Sequence, residues 1–279
     1  MTAINLFTKS QSGTSQEAIP GQQNAHGPLV ILHGLFGNWE NWGARIRQYA
    51  NYSEVHAMDL RNHGESPHLN SMSYSEMADD VVRTLDHLEI DSCDLLGHSM
   101  GGKVAMRIAS IHPGRIARLI VVDIAPKAYS PHHQSILDAL CAIDTAELAS
   151  RRDADEQLAN VVDDPSTRAF LLKNLVRNTT STTDQNASKA GFSWQFNLYG
   201  IRNNYAQLTE APQLQTPYDG PTLFIKGAES DYLQDADREM VMQAFPKAKL
   251  KVIGGAGHWP HAEKPDIFDR IVGQFLGFS

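Results

Sequence analysis

Short apolar runs alternate with amphipathic stretches along most of this chain. Pro28-Leu29-Val30-Ile31-Leu32 is continuously apolar, the mark of a strand covered on both faces. The same pattern predicts strands over 55–60, 92–96, 117–125, 222–226 and 250–253. A weaker first strand is predicted over 4–9, followed by a Gln-, Ser- and Gly-rich loop or weak hairpin over 10–27. Between the strands the period lengthens. Residues 39–49 read as a helix, and Ser73-x-x-Glu76 is a capping box that opens another, with Met77, Val81, Leu85 and Leu88 on one face. Val104, Ala105, Ile108, Ala109 and Ile111 recur at helical spacing up to Pro113. Residues 235–245 form a further helix. Pro265 starts the last one, whose apolar face is Ile267, Phe268, Ile271, Val272, Phe275 and Leu276.

From 127 to 214 the rhythm changes. No strand pattern stands out there, only helical patterns broken at Asp144, at Asp163-Asp164-Pro165 and near Gly191. Phe170-Leu171-Leu172-Lys173-Asn174-Leu175-Val176 is the strongest of them. Because the alternation then resumes, the expected division is an α/β core of residues 1–126 and 215–279 with a helical lid, 127–214, inserted after the strand ending at Asp123. A separate helical domain is the weaker rival, for the same reason. The fold class is α/β: a mainly parallel sheet with helices on both faces. Ligands of such sheets bind at the carboxyl ends of the strands. Five strand ends carry unusual sequences: His33-Gly34-Leu35, Asp59-x-Arg61, Ser99, Asp123 and Gly254-Gly255-Ala256-Gly257-His258. All five are predicted on one edge of the sheet.

Composition narrows the setting. With 279 residues, the chain is long enough for one large domain or two small ones, and no apolar run approaches bilayer length. A net charge of −8 argues against non-specific nucleic-acid binding. The first 27 residues carry only Lys9 and Glu17 as charges, which fits neither a secretory signal nor an Arg-rich transit peptide. Cys93 and Cys141 read as free thiols in a reducing compartment, so a cytoplasmic location is expected. The Asn178-Thr179-Thr180 and Asn186-Ala187-Ser188 sequons are then without meaning.

Gly97-His98-Ser99-Met100-Gly101 sits between a predicted strand and a predicted helix, the context of a nucleophile elbow. So sharp a turn strains Ser99, and side chains at 97 or 101 would collide with neighbouring backbone. A serine hydroxyl needs a base to take its proton. Of twelve histidines, His258 is the candidate, because a glycine-rich loop carries it over the sheet edge. The elbow turns His98 away from the reaction, His33 is expected to order the oxyanion loop, and His112, His132 and His133 read as surface residues. The order Ser, acid, His is met by Asp123 and by Asp231 alike, and periodicity does not choose between them. The N–H groups of Leu35 and Met100 are the expected oxyanion donors. Phe36, His98, Phe170, Leu171, Trp194, Phe196, Tyr199 and Trp259 are the expected pocket walls.

Five motifs together carry a resemblance: His33-Gly-Leu-Phe-Gly, Asp59-x-Arg-Asn-His-Gly-x-Ser66, Gly97-His-Ser-Met-Gly-Gly-Lys103, Val122-Asp-Ile-Ala-Pro126 and Gly255-Ala-Gly-His-Trp-x-His-Ala-Glu-Lys-Pro265. From about Pro28 to the end the chain resembles a subfamily of α/β-hydrolase esterases. That subfamily includes small bacterial acyl-ester and acyl-CoA thioesterases and a mitochondrial abhydrolase-domain protein. The resemblance implies a lidded esterase with a Ser–Asp–His triad, an acyl ester or thioester substrate, and no metal or organic cofactor. In the bacterial branch the acid is the Asp of the Asp-Ile-Ala-Pro motif, here Asp123. The position matching Asp231 is not acidic there, so this chain departs by having a second candidate. Dehalogenase and epoxide-hydrolase chemistry uses an Asp at the elbow, where this chain has Ser99. The alternatives are a serine hydrolase of C–C or amide bonds on the same scaffold and a non-catalytic receptor of the hydrolase fold.

Overall fold

The computed structural model describes residues 3–13, 27–178 and 191–278. Among them lie nine strands and eleven α-helices. The first part runs β1 (Thr8–Gln11), β2 (Leu29–Leu32), α1 (Gly43–Tyr49), β3 (Val55–Met58), α2 (Tyr74–His87), β4 (Cys93–His98), α3 (Met100–Ile111) and β5 (Ile116–Val122). The middle part holds α4 (Gln134–Ala142), α5 (Arg151–Leu158), α6 (Pro165–Leu172), β6 (Leu175–Arg177), β7 (Phe192–Trp194), α7 (Leu198–Asn203) and α8 (Tyr205–Thr209). The chain closes with β8 (Thr222–Gly227), α9 (Arg238–Ala244), β9 (Ala248–Ile253), α10 (Pro260–Glu263) and α11 (Pro265–Leu276).

Seven strands form one sheet in the order β1-β3-β2-β4-β5-β8-β9, parallel throughout except for β1, which runs antiparallel to β3. Alternate residues of each buried strand enter opposite layers, as the strand period requires. Leu29, Ile31, Leu96 and Ile120 meet Ile46 and Tyr49 of α1 and Phe268 and Val272 of α11. Val30, Leu32, Leu95 and Leu119 meet Met77 and Val81 of α2 and Val104 and Ile108 of α3. Both faces are therefore covered, which is why these strands are apolar without alternation. The Ser73 capping box forms as predicted: Ser73 Oγ accepts from the Glu76 N–H at 3.2 Å, and the Glu76 carboxylate accepts from the Ser73 N–H at 2.9 Å.

Two predicted elements differ. The first strand lies at Thr8–Gln11, not 4–9. Before it, the N–H groups of Ile4, Leu6 and Phe7 donate to the side chains of Asp80, Thr84 and Ser66, so no partner strand is needed there. The predicted loop over 10–27 lies mostly outside the described residues, as do the second sequon and most of the first.

The stretch after β5 is not purely helical, contrary to expectation. β6 and β7 pair antiparallel with Leu175 opposite Trp194, so the apolar run from 170 to 176 splits between a helix and a strand. Asn174 makes the break. Its backbone N–H and its side-chain amide both donate to the Leu171 carbonyl at the helix end, at 3.1 and 3.3 Å, and the amide also donates to the Phe36 carbonyl of the core at 2.8 Å. The strand partner lies beyond residue 190, a non-local pairing that local periodicity does not register. This segment touches the core at the sheet's carboxyl edge. Tyr74 Oη donates to the Leu208 carbonyl at 2.7 Å, the Asn197 N–H to the Asn62 carbonyl at 2.8 Å, and the Phe170 ring lies 5.6 Å from that of Trp259.

Behind the β4–α3 turn there is no room for side chains. A methyl group on Gly101 would stand 2.5 Å from the His33 carbonyl and 2.6 Å from that of Leu32, both backbone atoms that cannot swing away. Gly101→Ala is expected to lower unfolding free energy by about 2 kcal/mol or more, the upper range for overpacking. A urea melt of the variant against the wild type checks this; coincident midpoints would refute it.

Candidate active site

The sheet register sets two of the candidate side chains next to each other. His98 pairs with Val122 across β4 and β5, so Ser99 and Asp123 are the first residues beyond the ends of neighbouring parallel strands. Both have left-handed backbones, with φ of 52° at Ser99 and 54° at Asp123. Backbone bonds hold them so: the Ser99 N–H donates to the Val122 carbonyl at 3.0 Å, and the Asp123 N–H to the Ile225 carbonyl at 2.8 Å.

Ser99 Oγ lies 3.0 Å from His258 Nε2, and His258 Nδ1 lies 2.7 Å from Asp123 Oδ2. Because the carboxylate accepts from Nδ1–H, Nε2 is the free acceptor that faces the serine hydroxyl. Asp123 is fully buried, yet every approach to its carboxylate is a donor: the Gly227 N–H on Oδ1 at 3.0 Å, and the Ser230 hydroxyl beside His258 on Oδ2. Tyr232 stacks on the His258 ring with centroids 4.0 Å apart. The end of β8 and the loop that holds Asp231 thus support the pair: Gly227 and Ser230 bond Asp123, and Tyr232 lies against His258. Asp231 itself is exposed, and no hydrogen bond or ion pair joins it to His258.

Above Ser99 the chain turns through Gly34-Leu35-Phe36-Gly37, closed by the Gly37 N–H on the Gly34 carbonyl at 2.9 Å, with Phe36 at φ 62°. The Phe36 peptide is fixed on both sides. Its N–H donates to His63 Nε2 at 3.1 Å, and its carbonyl accepts from Asn174. The Leu35 and Met100 N–H groups donate to no acceptor among the described residues. Met100 opens α3, so its N–H is one of the unpaired donors at a helix start. His33 orders this loop as expected. Its Nδ1–H donates to the Gly34 carbonyl at 2.8 Å, and its Nε2 accepts from the Leu60 N–H at 2.9 Å.

A cavity of about 310 Å³ opens over Ser99 and His258. Of the expected wall residues, Phe36, His98, Phe170, Leu171 and Trp259 border it. Trp194, Phe196 and Tyr199 do not. Phe196 is buried behind Phe36 at 5.5 Å and stacks on Trp194, while Tyr199 is 64% exposed on the outer side of α7. His133 is a further correction. It is half-buried on the cavity wall rather than on the surface, edge-on to Phe36 and bonded to Tyr205 Oη at 3.2 Å; the more exposed His132 also borders the cavity. Ile136, Thr167, Tyr232 and His261 line it without having been singled out. The first two come from the inserted segment, whose packing leaves no local sequence signal. His98 sits under the cavity, with its Nε2–H on the His258 carbonyl at 2.7 Å.

The remaining unusual strand end is structural. Asp59 accepts the Trp39 and Glu65 N–H groups at 2.7 and 2.9 Å, and burial raises its carboxyl to about 6. Arg61 is buried against Asp80 at 2.6 Å and Glu76 at 2.9 Å, joining the loop after β3 to α2. Among the described residues no three His, Cys, Asp or Glu side chains converge to hold a metal ion, and no helix is long and apolar enough to cross a membrane.

Comparison with known proteins agrees with this architecture. Residues 27–265 match the family described as the alpha/beta hydrolase fold. A putative esterase/lipase of Haemophilus influenzae is 36% identical over 249 residues, covering 89% of this chain and 82% of its own. The sn-1-specific diacylglycerol lipase ABHD11 of Danio rerio is 37% identical over 257 residues, covering 89% and 78%. The solved structure of a marine microorganism esterase matches with a TM-score of 0.87 at 35% identity, over 98% of this chain and all of that one. The chain belongs to the α/β-hydrolase family. Within that family these relatives are named as esterases and lipases, as the motif resemblance implied.

The two histidines that hold the turn above Ser99 work as neutral acceptors. Burial, reinforced by the neighbouring His68, lowers His63 to about 4 despite its bond to the Arg61 carbonyl, and His33 is also held low. A folded pKa below the unfolded value near 6.5 gives stability that is whole above pH 6.5 and lost as pH falls toward 4. Asp59 runs the opposite way, so one site must be isolated. Between pH 7.5 and pH 5 the wild type is expected to lose about 2 kcal/mol more than His63→Asn, by urea denaturation at both pH values. Equal losses would refute the neutral-acceptor role.

Proposed function

We propose that the protein is a carboxylic-ester hydrolase that works through an acyl-enzyme on Ser99, with His258 as base and Asp123 as orienting acid. The observation that carries this reading is the unbroken chain Asp123 Oδ2–His258 Nδ1 and His258 Nε2–Ser99 Oγ, at 2.7 and 3.0 Å, opening on the cavity. Its standing among named esterases and lipases points to the same chemistry.

In this mechanism His258 Nε2 takes the Ser99 proton as Oγ attacks the ester or thioester carbonyl. Negative charge gathers on the carbonyl oxygen, where the unpaired Leu35 and Met100 N–H groups receive it; one such donor is typically worth on the order of a hundredfold or more in rate. His258, now cationic, is stabilised by the buried Asp123 carboxylate and gives its proton to the departing alkoxide oxygen or thiolate, which leaves as alcohol or thiol. Water then repeats the sequence on the acyl-enzyme. Residues 127–214 act as the lid: Phe170 and Leu171 stand over the nucleophile and exclude solvent while the ester is bound. Phe36, His98 and Trp259 complete the substrate walls.

Ser99→Ala is expected to abolish turnover of a nitrophenyl-ester panel while keeping the wild-type melt. Asp123→Asn is expected to lower kcat by about a thousandfold or more, since it loses the carboxylate that fixes the His258 tautomer. Asp231→Asn is expected to stay within about twofold, as an exposed change with no partner in the site. Full activity of Asp123→Asn, or a collapse in Asp231→Asn, would reverse the assignment of the acid.

A further inference from the structure

Two chambers meet at Ser99. The large cavity is bordered by His258 and Trp259. A smaller one, of about 40 Å³, lies toward α3 and is bordered by Leu35, Met100, Lys103, Tyr74 and Tyr129, and not by His258. The leaving oxygen or sulfur must take its proton from His258 Nε2, so the leaving group belongs in the cavity that His258 borders. The acyl chain is then directed into the small chamber. At 10–15 Å³ per water, that space takes a group of only a few heavy atoms.

Lys103 follows Ser99 by one helical turn and is 2% exposed. Its hydrogen bonds go to main-chain carbonyls and not to a carboxylate: Glu210 O at 2.6 Å and, more weakly, Thr209 O at 3.5 Å. The ammonium lies 4.7 Å from the Tyr129 ring centroid and 5.2 Å from that of Tyr74. Both tyrosine hydroxyls are spent on main-chain carbonyls, of Tyr232 and Leu208. Burial lowers the Lys103 ammonium to about 7, against the raising effect of the Glu210 carboxylate. A buried cation bonded to no carboxylate is costly, and an ammonium has three N–H donors to place.

We propose that the small chamber binds a short acyl group ending in a carboxylate, with Lys103 as its counter-ion. The favoured substrates are then half-esters or half-thioesters of short dicarboxylic acids. This rests on the reading of Ser99 as an ester-cleaving nucleophile and adds the acyl class to it.

The test compares methyl hydrogen succinate with methyl succinamate, which differ by a carboxylate against a carboxamide, by methanol release from the full chain. 4-Nitrophenyl butyrate reports the esterase activity itself. The wild type is expected to favour the anionic ester in kcat/KM by about tenfold or more, the scale of a charge-assisted hydrogen bond. In Lys103→Met that ratio is expected to fall toward one, and Lys103→Arg to retain part of it. Hydrolysis of the butyrate with no preference for the anionic ester overturns this proposal alone. A preference that survives in Lys103→Met also overturns it, because another group would then read the carboxylate. No hydrolysis of any ester overturns the esterase reading together with it. If Lys103→Met does not fold, the wild-type ratio and the Arg variant decide.

Discussion

Ser99 and Asp123 stand side by side because β4 and β5 are parallel neighbours in a fixed register. His98 pairs with Val122, and each strand then turns sharply at its next residue into a left-handed conformation. Each such turn costs on the order of 1–3 kcal/mol. The turns persist because the amides of both residues are bonded into the adjacent strand and because Gly97 and Gly101 let α3 approach the sheet closely. A one-residue slip of β5 would move Asp123 to the other face and leave His258 without its partner. The apolar layers on both sides of the sheet prevent that slip, so core packing far from the serine sets the geometry at the serine.

The buried Asp123 carboxylate is the second constraint. An ion taken wholly out of water must have its lone pairs met. Here the Gly227 N–H, the Ser230 hydroxyl and His258 meet them, and the first two come from the end of β8 and the loop after it. That loop also supplies Tyr232, whose ring lies against His258. The sheet thus presents the acid from one strand and its supports from the next.

Much of this was legible in the sequence because it depends on strand ends. Continuous apolar runs marked the buried strands, and the residues just beyond them were the unusual ones: His33, Ser99, Asp123 and His258. Periodicity did not choose between Asp123 and Asp231, since both follow strands and both are acidic; the motif resemblance pointed to Asp123. The register and the outward course of the loop set that carboxylate, and not Asp231, against His258. The cavity walls were read in part. Phe170 and Leu171 were recognisable as an apolar stretch, but Phe196, equally apolar, turns inward behind Phe36, and Tyr199 turns out to solvent. Side-chain direction in the inserted segment is set by non-local contacts, among them the β6–β7 pairing and the Asn174 bond to Phe36, and short-range periodicity does not encode those.

Histidine usage shows the same division between local pattern and tertiary setting. His33 and His63 each spend one nitrogen on a carbonyl and the other on an amide N–H, which locks a single neutral tautomer and ties the turn above Ser99 to the loop after β3. His98, which burial holds at about 3 with the neighbouring His258 adding to the effect, spends its Nε2–H on the His258 carbonyl. These rings are rigid acceptors and donors whose protonation would break the contacts that define the site. His258 differs in keeping one nitrogen on a carboxylate and the other on a hydroxyl that is itself open to the cavity. What distinguishes the proposed base is therefore the chemistry of its two neighbours. A carboxylate can stabilise the imidazolium that the reaction makes, and a backbone carbonyl or amide cannot do so to the same degree. The same fold that silences the structural histidines by burial leaves this one with a counter-charge in place before substrate arrives.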